Sequence, residues 1–121
     1  MYAGYVSEKK KEGKISVIIS ENIMIGESIA YRADSIVKSL REKKPFGYPV
    51  WYGITTAQED ENLFYILSGL EIRHEFYLNS DIKLLGLAGS REEAGEIVLN
   101  LVQEGYNKGE LFNMKQYLQT R

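Results

Sequence analysis

The chain has no cysteine, one histidine and two prolines in 121 residues. Without cysteine there is no disulfide framework and no thiolate chemistry. With a single histidine, the common zinc ligand sets are excluded as well. No apolar run approaches the roughly 20 residues that span a bilayer. The first residues, MYAGYVSEKKKEGK, place their charges after a short apolar piece, the reverse of a secretory signal. A cytoplasmic protein is expected. The phosphate-binding P-loop, the dinucleotide G-x-G-x-x-G and the Gly-x-Ser-x-Gly elbow are all missing. The acidic run Glu59, Asp60, Glu61 lacks the alternating ligand spacing of a calcium loop. No metal, no cofactor and no catalytic set is expected.

What remains is an ordinary globular composition, 44% hydrophobic and 26% charged. Residues 1–121 suffice for one domain with a core of its own. The net charge of −2 is uneven: residues 1–44 carry +3 and residues 45–121 carry −5. Lys9, Lys10, Lys11 and Lys14, and later Lys38, Arg41, Lys43 and Lys44, supply the basic share. Such clusters can track phosphates. Here Glu8, Glu12 and Glu42 interrupt them, as in solvated turns and helix ends, so nucleic acid is an unlikely partner.

Periodicity outlines the elements. Residues 2–7 and 14–20 read as strands of an N-terminal hairpin. Residues 28–42 read as a helix with Ile29, Ala33, Ile36, Val37 and Leu40 on one face, Ser28 as N-cap, and Pro45 and Gly47 as its stop. A strand is expected at 50–55. In 57–78, Leu70, Ile72, His74, Phe76 and Leu78 alternate with Glu71, Arg73, Glu75 and Tyr77, which predicts strands at 62–68 and 70–78. Thr56 and Glu59 form a rival capping box that would make this segment helical. Residues 82–88 read as a buried strand. Ser90 and Glu93 then form a capping box for a helix over 91–104, with Ala94, Ile97, Val98, Leu101 and Val102 as its apolar stripe. A break at Gly105 to Gly109 precedes a short helix over 110–119. The expected fold is α+β: a largely antiparallel sheet, with two main helices and a short C-terminal one packed on one face. The alternative is a small α/β layer with 57–78 helical.

Three features bear on function. The turn GLAGSR, residues 86–91, leads into a helix N-terminus, where Gly89, Ser90 and Arg91 could hold an anion through backbone amides and a guanidinium. Glu92 and Glu93 already occupy that first turn and oppose an external anion. Aromatic residues make 12% of the chain, and Trp51 and Tyr52 beside Gly53 offer rings for stacking a nucleobase or for a protein interface. The lone His74 falls on the apolar face of the expected strand, beside Arg73. These features predict a non-enzymatic binder of a small nucleotide-like or phosphorylated anion, acting as a homo-oligomer through Trp51, Tyr52, Arg73, Gly89, Ser90 and Arg91. The alternatives are a protein–protein interaction module and a small enzyme using His74 as acid or base. No membrane partner is expected.

Overall fold

A mixed four-stranded sheet separates two layers of helix in the computed structural model, which describes residues 18–42, 50–57, 61–72 and 81–121. The strands are β1 (Ile18–Ile25), β2 (Tyr52–Thr56), β3 (Phe64–Ser68) and β4 (Lys83–Ala88), in the order β1-β4-β2-β3. β2 runs antiparallel to β3 and β4, while β1 lies parallel to β4 at one edge. The expected α+β domain with a largely antiparallel sheet is what forms. Of the expected N-terminal hairpin, residues 18–20 belong to β1 and the remainder lies outside the described residues.

A 3-10 turn (Glu27–Arg32) leads into α1 (Ala33–Arg41), and a single turn, α2 (Gly69–Ile72), follows β3. The long α3 (Arg91–Asn107) follows β4. A second 3-10 turn (Leu111–Asn113) precedes α4 (Met114–Thr120). No described helix is long and apolar enough to cross a membrane.

The helices cover both faces of the sheet rather than one. Successive strand residues point to opposite faces. Leu67 accordingly joins Ile36 and Leu40 of α1, Ile72 of α2 and Trp51 in one core, while its neighbour Ile66 packs against the other, built from α3 and α4. β4 serves both: Leu84 and Leu87 belong to the first core, Leu85 and Ala88 to the second. All four are fully buried, which is why that strand reads as a continuous apolar run. Its pairing with β2 slips at Leu85, where Ile54 opposes Gly86 but Thr55 opposes Leu84, a bulge that lets consecutive leucines serve different layers.

Three local expectations are corrected. Residues 69–72 are helical, not the start of a strand at 70–78, while Phe64–Ser68 forms the strand expected at 62–68. The cause is a reciprocal cap: Ser68 Oγ accepts from Glu71 N at 3.2 Å, and Glu71 Oε1 accepts from Ser68 N at 2.8 Å. Ser28 caps no helix with its side chain; the 3-10 turn starts after Gly26, and the Ser28 hydroxyl is used elsewhere. Gly105 does not break α3, which continues to Asn107. It is a point of close approach, since a Cβ there would lie 2.7 Å from Met114 Sδ of α4. The chain reverses instead at Gly109, whose φ of 75° suits glycine. The end of α4 is then tied down. Arg121 donates to both carboxylate oxygens of Glu104 on α3 at 2.9 and 3.0 Å, and its carbonyl accepts from Ser20 Oγ of β1.

Candidate functional site

The parallel strands β1 and β4 end side by side, and each is followed at once by a turn into helix. Helix starts leave amides without intrahelical partners, and paired strand ends of this kind are where an anion is favoured. Glu93 fills that position from within the chain. Its Oε1 accepts from Ser28 Oγ at 2.6 Å and from Gly89 N at 2.7 Å, and its Oε2 accepts from Ser28 N at 3.2 Å. Ser90 Oγ accepts from Glu93 N at 3.1 Å, so Ser90 is the N-cap expected from the sequence. The return contact reaches Gly89 and Ser28 rather than Ser90 itself. The Ser28 hydroxyl first, then the Gly89 amide, lower the Glu93 carboxyl below its ordinary range.

Glycine at 26 and 89 follows from this arrangement. A Cβ on Gly26 would collide with the Glu93 carboxylate, and one on Gly89 would lie 2.8 Å from Ile29 Cγ2. The groove alongside, about 390 Å³, is lined by Glu27, Glu93, Glu96 and Asn100. Its sign repels a phosphate. Among the described residues, no group of three His, Asp or Glu side chains is placed to hold a metal ion.

Immediately beyond this carboxylate, two of the sequence-derived features meet. Tyr52 opposes Ala88 in the β2/β4 ladder, so the first residue of α3 lies above it. The Arg91 guanidinium sits 5.2 Å from the Tyr52 ring centroid, a cation–π contact. Glu71 adjoins them: its carboxyl is lowered chiefly by the Ser68 amide and further by the Arg91 charge. Trp51 does not join the exposed group. It is 1% exposed, and among the described residues its indole Nε1 has no hydrogen-bond acceptor. A Cβ on Gly69 would lie 2.7 Å from that nitrogen, so the indole is packed closely against the Gly69 backbone. Tyr52, Gly89, Ser90 and Arg91 are thus together. Arg73 and His74 lie outside the described residues.

Comparison with protein-family models, with curated proteins and with solved structures finds no match to this chain.

The least expected surface lies on the other flank of α3. Val98, Leu99, Val102 and Tyr106 project within about a quarter-turn of one another at 100° per residue. The opposite flank faces β1, because Glu93, Glu96 and Asn100 line the groove with Met24 and Ile25. This one is therefore turned towards β3, where Phe64 and Ile66 pack, half-buried, against the same core as Val98 and Val102. Leu99 is 69% and Tyr106 61% exposed, and they carry the apolar stripe out into solvent. The 111–113 turn that follows α3 carries Phe112, 96% exposed, and Lys115 of α4 donates its Nζ to the Asn62 carbonyl just ahead of β3. The stripe of α3 was legible in the sequence as core. Its continuation through Leu99 and Tyr106 was the missed signal.

Proposed function

We propose that the protein is a non-enzymatic protein–protein interaction module that docks through the α3 flank and the adjoining edge of β3. One observation carries the reading. Apolar residues on α3 and β3 form a strip that begins in the core and ends in solvent at Leu99 and Tyr106. Scattered exposed apolar residues need no explanation, but a contiguous strip does. Aromatic and aliphatic anchors framed by polar residues are what an interface core requires. Gln103 supplies part of that frame.

The test is affinity capture with the wild type and with the Leu99→Glu/Tyr106→Glu variant, at matched folding. Loss of the captured species in the variant is the expected result. An unchanged set of captured proteins refutes the reading.

A second reading is favoured by the Arg91–Tyr52 contact alone: a small anionic ligand held by the guanidinium and the ring. The Glu93 carboxylate weakens it, because the helix amides such a ligand would use are already taken. Native mass spectrometry decides: a retained phosphate-containing mass that Arg91→Ala loses would establish it.

A further inference from the structure

The hydrogen-bonding sense of β3 follows from its last rung. Gly69 N donates to Trp51 O at 2.9 Å, and the β2/β3 register places these residues opposite one another. Hydrogen-bonded and non-hydrogen-bonded rungs alternate along an antiparallel pair. Tyr65 and Leu67 therefore turn their backbone polar groups to β2, whereas Phe64, Ile66 and Ser68 turn theirs outward. Among the described residues, no strand lies on that side. The two ends of this edge are capped with opposite charges. Glu71 Oε1 takes the outward Ser68 amide at 2.8 Å, and Lys115 Nζ takes the Asn62 carbonyl at 2.9 Å. Between the caps stand the N–H and C=O groups of Phe64 and Ile66.

We propose that β3 pairs antiparallel with β3 of a second copy of this chain, Phe64 opposite Ile66, beneath the apolar flanks of the two α3 helices. The proposal rests on the interaction-module reading and names its partner. In this register, a two-fold axis passes through Tyr65, and every outward group of Phe64 and Ile66 is satisfied in both copies. Asn62, which holds Lys115, then falls opposite Ser68, which holds Glu71. The ammonium at the start of each strand meets the carboxylate at the end of the other, twice over, by symmetry. A parallel copy would bring like charges together at both ends, so the caps select direction as well as register. On the α3 face of the extended sheet, Phe64 and Ile66 meet their counterparts, and Val98 and Val102 of each α3 pack on the same core behind the seam.

Sedimentation of the wild type at about 100 µM is the first arm, where even an interface with Kd of ~1 µM is populated. A dimer is expected, with Phe64→Pro, which removes an outward N–H but no bond to β2, raising its dissociation constant at least tenfold. A wild-type monomer overturns the proposal. The second arm uses the absence of native cysteine. Tyr65→Cys places a thiol on the axis at a non-hydrogen-bonded rung, where Cα atoms stand about 4.5 Å apart, within disulfide reach. Mild oxidation should link Tyr65→Cys into a dimer and leave Leu63→Cys unlinked. A dimer in which Tyr65→Cys, folded by circular dichroism, does not cross-link overturns the register and with it the proposal. A monomer whose captured heterologous partner is lost in Leu99→Glu refutes the second copy while leaving the interaction module standing. Captured species indifferent to Leu99→Glu refute the module itself.

Discussion

Replacing Glu93 by alanine takes away the acceptor for Ser28 Oγ, Ser28 N and Gly89 N, at 2.6–3.2 Å in the wild type. A hydrogen bond to a charged acceptor contributes about 1.5–3 kcal/mol when fully buried. These contacts are partly exposed, and water recovers much of that, which leaves a loss of about 2–3 kcal/mol for the set. In a domain of this size, 1 kcal/mol moves the melting temperature by about 4 °C. The variant should therefore melt roughly 8–12 °C lower. It should also acquire a property the wild type lacks. The vacated position retains the Gly89 and Ser28 amides at the helix starts, a site for an oxyanion. A phosphate Kd of ~1 mM would restore about 2.7 kcal/mol at 100 mM, by linkage. The assay is thermal unfolding by circular dichroism in phosphate and in chloride at equal ionic strength. Its pH dependence has a fixed sign. The folded Glu93 carboxyl lies below its ordinary value of 4.5, so its contribution is present above that value and fades as pH falls through the lowered one. Wild type and variant should converge in acid. A drop under about 2 °C, or equal phosphate stabilisation of both proteins, would refute the view that Glu93 stands in for an anion.

Glycine substitutions should separate by environment. Gly95→Ala, with nothing within 4 Å of the added carbon in α3, should stabilise by about 0.5–1 kcal/mol in chemical denaturation. Gly69→Ala drives a carbon to 2.7 Å from the rigid Trp51 indole and should destabilise by about 1–3 kcal/mol, with a change in tryptophan emission. An equal effect at both positions would contradict this packing. At the other end of the molecule, hydrogen bonds from Arg121, with help from Tyr117, hold the Glu104 carboxyl at about 2, against an ordinary 4.5. Because the folded value is the lower one, this stabilisation is complete above pH 4.5 and lost as pH falls towards 2. The shift corresponds to about 3 kcal/mol at 1.36 kcal/mol per unit, reduced to about 1–2 by partial exposure. Glu104→Gln should flatten that acid limb of the melting profile, and an unchanged limb would count against the tie.

Local chemistry was legible from the sequence alone where one element contains both halves of an interaction. Ser90 and Glu93 lie three positions apart, and the stripe from Ala94 to Val102 lies on one helix, so the 82–88 strand, its turn and the following helix could be read directly. The α+β class followed from these periods. The same locality misled at Gly69–Ile72, where alternation suggested strand although Ser68 and Glu71 already spelled a cap. Periodicity carries no information on which element lies beside which. The parallel seating of β1 on β4, the helices on both faces of the sheet and the full burial of Trp51 beside a half-buried Tyr52 depend on which apolar faces meet. The candidate site shows the limit most plainly. Glu93 was visible as half of a capping box, yet its carboxylate also bonds Ser28, 65 residues away in sequence. Arg91 meets Tyr52 only because β2 pairs with β4. Sequence determined the elements and their polarity, because these arise from contacts within a few residues. Tertiary structure alone decided that the predicted anion site is filled by the chain's own carboxylate, and that Leu99 and Tyr106 face solvent, because both are set by contacts between distant segments.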